Sequence, residues 1–380
     1  MTASIVRSTA ATLLLGGMLA ASAQAQIAKG ATKFLGNITT NSAIRSDFFS
    51  YWNQLTPENE TKWGSVESSP GVRNWSQAKA YHDSCLKHGA IFKFHTFVWG
   101  AQEPSFMKSS SYTDAQKKQF IEDWIADAAK QFPDLQIIDV VNEPDNTKPT
   151  WISALGGTGT TGHDWVIEAF RLARKHFPNA KLILNDYNNF RWNVDNYIAI
   201  AKKVKAAGYL DAIGCQAHDL SATTGQYTNP TMSASDLTTV LKKLHDQVGV
   251  PIYVTELDLS YENDQDQLDA YKSLFPVLWQ SEYVAGVTLW GYIYGSTWDQ
   301  AKYSGLIKNG TDRPAFTWLK QYIKDNPNPP VPSGAVTTGL RPRTARPVST
   351  PRMEVTNRNG HLSLHVRGQD LAPVNLQGQR

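Results

Sequence analysis

Two glutamates stand where a carboxylate has no evident structural reason to be. Glu143 ends the apolar run IIDVVNE and is followed at once by Pro144, and Glu256 ends the run PIYVTE. Valine and isoleucine favour buried strand positions, whereas proline cannot continue a ladder. Each glutamate is therefore expected at the tip of a buried strand. One such glutamate is usually structural. Two on separate strands supply what glycosidic cleavage requires: one group to protonate the departing oxygen, and another to attack or to activate water. Further polar and aromatic residues recur at equivalent places. They are Glu58, Asn59 and Lys62 in TPENETKW; His95, Trp99 and Gln102 in FHTFVWGAQ; Asn142 beside Glu143; Asn185, Asp186, Tyr187 and Asn188 in NDYNN; Gln216 and His218 in GCQAHD; and Trp290 and Trp298 in LWGYIYGSTW. Amides, histidines and tryptophans suit a ligand that offers hydroxyls to bond and C–H faces to stack on. Metal chemistry fits poorly, because His95 and His218 lie in different runs with no H-x-x-x-H or H-E-x-x-H nearby. There is no G-x-S-x-G elbow, and GGTGTTG at 156–162 does not follow a strand directly, so it reads as a loop. No metal or cofactor is expected.

These residues need a scaffold that brings many strand ends to one rim. Eight short apolar runs qualify as strands: Phe34–Asn37, Asn53–Pro57, Ile91–Thr96, Ile137–Val141, Leu182–Asn185, Ala212–Gln216, Ile252–Thr255 and Gly286–Trp290. Helical stretches at 76–88, 115–131, 163–177, 194–207, 234–248 and 264–280 lie between most of them, and 314–325 follows the last. Asp114 and Ser233 read as N-caps, and Gly89, Gly208 and Gly249 as helix stops. Eightfold strand–helix alternation over about 300 residues is the pattern of a (β/α)8 TIM barrel, whose active site forms at the carboxyl ends of the strands. A doubly wound open sheet is the runner-up.

The chain has 380 residues, with 37 basic and 34 acidic side chains for a net charge of +3. That near balance gives no footprint for nucleic acid, and the basic excess falls in the tail, at Arg341, Arg343, Arg346, Arg352 and Arg358. Residues 1–25, with Arg7, an apolar stretch around Leu13–Leu19 and the small residues of ASAQAQ, read as a signal peptide cleaved after Ala25, with Ala23 as the second candidate. The product is then exported and extracellular, with no segment that would insert in a membrane. Cys85 and Cys215 read as two buried free thiols, with a single bridge between them as the alternative. The barrel is expected over 26–326, a proline-rich linker over 327–335 (PNPPVPSGA), and over 336–380 a basic tail whose alternating HLSLHVRG suggests one hairpin.

The motifs TPENETKW, FHTFVW, DVVNEP, LILNDYN, IGCQAH, VTELDL, LWG and TDRPA, in this order, resemble family 10 of the glycoside hydrolases, the endo-β-1,4-xylanase family, from about Phe34 to Ile323. The resemblance implies a barrel that hydrolyses xylan and xylo-oligosaccharides with retention of anomeric configuration; a monomer is expected. Matched to the family's motifs, Glu143 would be the acid/base and Glu256 the nucleophile. Glu58, Asn59, Lys62, His95, Trp99, Gln102, Asn142, Gln216, His218, Trp290 and Trp298 would line the glycone side, and Tyr187 the leaving-group side. Two positions depart from the commoner pattern: Gly100 in place of a histidine, and Asp299 in place of a basic residue. A related β-1,4-glucanase is the nearest alternative. Lys62 and the paired tryptophans weigh against it, since they would crowd the hydroxymethyl group that glucose carries and xylose lacks. A catalytically silent xylan-binding protein should lack one of the two carboxylates.

Overall fold

The computed structural model describes residues 26–221, 223–224, 227–228 and 230–336, and the backbone of 353–358 and 361–366. Eight strands close a barrel: β1 Phe34–Ile38, β2 Gln54–Thr56, β3 Ile91–Val98, β4 Ile137–Asn142, β5 Lys181–Asp186, β6 Ala212–Cys215, β7 Ile252–Leu257 and β8 Val284–Leu289. Each pairs in parallel with its neighbours in sequence. Closure is made by β1, which pairs with β8 (Phe34 opposite Gly286) and with β2 (Gly36 opposite Gln54), so the open-sheet alternative is excluded. Helices α1 Ser76–His88, α2 Asp114–Gln131, α3 Asp164–His176, α4 Val194–Ala206, α5 Ala234–Val248, α6 Asp264–Gln280 and α7 Pro314–Asp325 follow β2 to β8 in turn. Between β1 and β2 there is only the single turn Phe48–Tyr51.

Local chemistry sets the helix ends. Ser233 caps α5 as expected, whereas the cap of α2 is Thr113 and not Asp114. The Thr113 hydroxyl accepts from the Gln116 N–H while the Gln116 side chain accepts from the Thr113 N–H. This reciprocal pair satisfies two otherwise orphaned donors, and Asp114 stays in the first turn, where a negative charge opposes the helix dipole. Gly89 and Gly249 close α1 and α5 in the left-handed conformation.

The two ends of the barrel differ in chemistry. At the amino-terminal end Phe34, Ile91, Ile137, Ile183, Ala212, Tyr253 and Ala285 form an apolar plug, with the Phe34 and Tyr253 rings stacked at 5.9 Å. Val336 completes it from outside, and its N–H donates to the Tyr253 hydroxyl at 3.0 Å. Residues 327–336 reach this point as a strap along the barrel floor, where the Thr32 hydroxyl donates to the Pro329 carbonyl at 2.6 Å. Higher in the barrel the filling becomes polar. Gln54 bridges Thr56 and Thr288 at 2.8 and 2.7 Å, in space that opens only because residue 36 is glycine: a Cβ there would lie 1.6 Å from the Gln54 Oε1. Register shifts interrupt the ladders between His95 and Val98, Asp139 and Val141, and Val254 and Leu257. Such irregularities re-aim side chains, and these three fall in the carboxyl-terminal halves of β3, β4 and β7, while a further one lies between Ile252 and Tyr253 at the start of β7.

Cys85 and Cys215 are both buried and free, and burial pushes both thiols up. Met353–Arg358 pairs antiparallel with His361–Val366, in the region of the expected hairpin. The signal-peptide reading of 1–25 lies outside the described residues. Among the described residues no helix is long and apolar enough to cross a membrane.

Candidate active site

A cleft of about 980 Å³ opens at the carboxyl ends of the strands, and Glu143, Glu256 and the expected sugar-binding residues line it, as does Asn188, whereas Asn185 and Asp186 are fully buried and do not. Glu58, Asn59 and Lys62 come from the loop after β2. His95 lies in β3, with Trp99 and Gln102 just beyond. Asn142 ends β4 and Glu143 follows it. Tyr187 follows β5, Gln216 and His218 follow β6, Glu256 lies in β7, and Trp290 and Trp298 follow β8.

Glu143 is non-glycine yet has φ +52°, a left-handed conformation that costs roughly 1–2 kcal/mol. Its N–H still bonds the Asn185 carbonyl at 2.8 Å, as if the strand continued, while its own carbonyl accepts from Thr147 N–H at 2.9 Å and starts a turn. The strand therefore holds Glu143 on one side as the chain bends away on the other. Its carboxylate is surrounded by donors. Oε1 accepts from Gln216 at 3.1 Å and Asn142 at 3.3 Å, and Oε2 accepts from the Trp99 indole at 2.9 Å and from the Thr147 hydroxyl. The turn that brings Thr147 close explains Gly100: the Gly100 N–H donates to the Thr147 carbonyl at 3.0 Å, and a Cβ at position 100 would lie 2.3 Å from that oxygen.

Glu256 is tied to the same network from the opposite wall. The Asn185 amide donates to Glu256 Oε1 and to Asn142 Oδ1, both at 2.8 Å, and is oriented by the Thr255 hydroxyl bonded to its own oxygen at 2.7 Å. His218 lies 2.8 Å from Asp258 through Nδ1 and 3.3 Å from Glu256 Oε2 through Nε2. Burial alone would neutralise this imidazole, but the two carboxylates outweigh it and raise its pKa to about 10. Burial likewise opposes ionisation of Glu256. The His218 hydrogen bond and the positive charges of His95, His218 and Lys93 overcome it and hold that carboxyl at about 2. Asp258 is pushed up by burial despite His218 and the Trp298 indole, which donates to it at 2.7 Å.

The remaining wall carries cation and rings. Lys62 is only 6% exposed, and its ammonium lies 3.0 Å from Asn59 Oδ1, 2.5 Å from Gln102 Oε1 and 4.8 Å from the Trp99 ring centroid. Burial lowers its pKa against the pull of Glu256, Glu58, Glu143 and Glu60. His95 is held by Asp139 at 2.8 Å, and Asp139 also meets Lys93 at 2.7 Å. The His95 ring meets Trp290 edge-on at 5.6 Å, and His218 packs on Trp298 at 4.7 Å. Sequence reasoning did not single out Asp139, Thr147, Asp258 or the bridging role of Asn185. Asp258 lies two residues beyond Glu256, where a strand turns the side chain to the same face, and that spacing was the available signal. Thr147 had none, since the turn that delivers it is set by contacts with Gly100. Among the described residues no cluster of three or more His, Cys, Asp or Glu could hold a metal.

Comparison with known proteins bears on the family and the fold. Residues 18–322 match the model of glycosyl hydrolase family 10. The chain is 45% identical over 290 residues to endo-1,4-beta-xylanase B of Cellvibrio japonicus, covering 76% of this chain and 45% of that protein, so it spans under half of that relative's length. It is 30% identical over 318 residues to endo-1,4-beta-xylanase C of Phanerodontia chrysosporium, covering 77% of each. Among solved structures, a family 10 protein of Paenibacillus barcinonensis superposes with a TM-score of 0.68 at 22% identity, over 79% of this chain and 97% of that one. Xylanase 10B of Thermotoga maritima gives 0.66 at 23%, with the same coverages. At these identities the structures speak for the fold alone. The family match over most of the chain, carried by a closed barrel with two bridged glutamates at its rim, places the protein in glycosyl hydrolase family 10.

Proposed function

We propose that the chain is a secreted, retaining endo-β-1,4-xylanase that cleaves internal β-1,4-xylosidic bonds by double displacement. One observation carries this reading: Asn185, Asn142 and Gln216 join Glu143 to Glu256 across the cleft, while His218 keeps Glu256 ionised. An ionised, oriented carboxylate is a nucleophile. In the first step Glu256 attacks the anomeric carbon as Glu143 gives its proton to the departing glycosidic oxygen, leaving a glycosyl ester on Glu256. In the second, Glu143 takes a proton from water, the water oxygen bonds the anomeric carbon, and Glu256 departs as carboxylate. Retention requires the two carboxyl groups to stand ~5–5.5 Å apart. The near-complete burial of Lys62 against Trp99 and Gln102 supports a pentose beside it, because a hydroxymethyl group would have to displace a buried cation. Arg7, the apolar stretch and the small residues ending at Ala25 support export.

Hydrolysis of xylan, cellulose and mixed-linkage glucan by the purified chain, with proton NMR of the first products, tests the reading. Xylo-oligosaccharides released initially as β-anomers are expected. Faster release from cellulose would replace the xylanase reading with the glucanase one, and initial α-anomers would end the double displacement. A mature amino terminus other than Gln26 on exported protein would move or remove the cleavage site.

A further inference from the structure

The two glutamates divide the barrel rim. Going around the ring from Glu143 on β4 to Glu256 on β7, one arc carries β5 and β6, and the other carries β8, β1, β2 and β3. Lys62, His95 and Trp290 occupy the second arc. On the first arc the cleft continues past Tyr187 and Asn188 to Trp192, with Asp219 and Ser221 on the facing loop. Trp192 is 59% exposed. Among the described residues, Val72 and Leu86 are the other exposed large hydrophobics, and neither lines the cleft.

The turn that presents Trp192 is firmly held. Asn188, in the left-handed conformation at φ +57°, accepts at its carbonyl from the N–H groups of Trp192 and Asn193, at 3.1 and 2.7 Å. Phe190 is buried and its N–H bonds the Asp219 carboxylate at 3.0 Å. Arg191 reaches across to the facing loop and donates to the carbonyls of Asp219, Leu220 at 3.2 Å and Pro230 at 2.7 Å. A single exposed apolar side chain needs no explanation on an ordinary surface. An indole presented by such a turn at the mouth of a polar cleft is different: the Arg191 guanidinium lies 5.9 Å from its ring centroid, yet most of the side chain stays in water.

We propose that Trp192 is the platform of a remote sugar-binding position on the leaving-group arm, on which a pentose unit of the departing chain stacks. The inference rests on the xylanase reading above and extends it beyond Tyr187. A pyranose presents a flat array of C–H bonds to an aromatic face, and such a contact strengthens with the area taken from water. A leaving group long enough to reach Trp192 gains the contact, whereas an aryl group beside Tyr187 does not reach it.

The test compares kcat/KM on xylohexaose with kcat/KM on an aryl xylobioside for the full chain, Trp192→Ala and Trp192→Phe. In Trp192→Ala the xylohexaose-to-aryl ratio is expected to fall about tenfold, the loss of one stacking contact. Trp192→Phe is expected to recover most of it. A ratio equal to wild type in both variants would overturn the proposal, as would an equal loss on both substrates, which would mark Trp192 as acting through the fold or the catalytic centre. A wild-type chain that cleaves neither substrate would overturn the proposed function and this inference with it.

Discussion

Replacing His218 with asparagine removes the cation that, among the described residues, touches the proposed nucleophile, and the effect can be sized. The imidazole bridges Asp258 and Glu256 at 2.8 and 3.3 Å and keeps its proton to about pH 10. It is the leading reason that Glu256, fully enclosed, sits at about 2 instead of its ordinary value of 4.5. That displacement is a differential of roughly 3 kcal/mol, at 1.36 kcal/mol per pKa unit. Without His218, burial acts on two neighbouring carboxylates, with His95, Lys93, Lys62 and the Asn185 amide left to oppose it at Glu256. The nucleophile should then gain a proton in the mildly acidic range, above about pH 5. The assay is kcat/KM against pH on an aryl xylobioside, whose leaving group needs no proton, so that the acid limb reports the nucleophile. Wild type should hold its plateau down to acid unfolding, whereas the variant should lose about tenfold between pH 6 and pH 4. The stability linkage has a definite sign. His218, raised in the folded state, contributes below about pH 6.5 and loses its contribution as pH climbs through about 10. Glu256, depressed, contributes above about pH 4.5 and loses its contribution as pH falls through about 2. The Tm difference between wild type and variant should therefore be largest between about pH 4.5 and 6.5. A variant whose profile stays flat from pH 7 to pH 4 would refute the idea that His218 keeps Glu256 ionised.

Two further outcomes follow from the same geometry. Glu143→Ala should lower kcat on xylan by roughly 10²–10⁴-fold, the typical worth of a positioned acid. It should cost far less in glycosylation by an activated aryl xyloside, with azide accelerating turnover, whereas Glu256→Ala should abolish both; opposite behaviour would reverse the two roles. A chain ending at Asn326 should melt roughly 6 °C below one ending at Val336. Burial of the Val336 side chain contributes about 2 kcal/mol and its bond to Tyr253 about 1 kcal/mol, at about 2 °C per kcal/mol for a barrel of this size. Equal melting temperatures would mean that the strap merely rests on the barrel floor.

Much of the fold is legible because parallel barrel strands are buried on both faces and leave continuous apolar runs. The runs mark strand centres better than strand ends. β4 and β5 extend to Asn142 and Asp186 because the ladder pairs Asn142 with Asn185 and Asp186 with Cys215, and pairing does not depend on hydrophobicity. β3 runs on to Val98 past His95 and Thr96, whose polar side chains find Asp139 as a partner in the neighbouring strand. The single turns Phe48–Tyr51 and Trp63–Val66 are too short to leave a helical period. For the site, residue types and their placement at strand ends were readable, while the pairing was not. Nothing local to Asn185 says that its amide will span Asn142 and Glu256, the latter 71 residues away. Trp192 escaped for a related reason: among many aromatics, the sequence does not tell the wet one from the buried ones.

The strained position of Glu143 makes sense only together with the opposite end of the barrel. A left-handed glutamate before a proline, a cation buried at Lys62 and an Asp258–His218–Glu256 chain are each unfavourable against an apolar alternative. They persist because the framework holding them gains nothing by relaxing. Glu143 keeps its ladder bond to Asn185, and β4 and β5 are gripped below by Ile137 and Ile183 in the apolar plug. An acid proposed to meet a sugar oxygen within a few tenths of an ångström cannot sit on flexible support. The division of the barrel into an apolar floor and a polar rim supplies that rigidity. Substitutions that loosen the floor, such as Ile183→Ala, should therefore lower kcat on xylan as well as Tm, although Ile183 lies in the plug and not in the cleft. A variant with reduced Tm and unchanged kcat at a temperature where it remains folded would show that the rim holds its geometry without help from below.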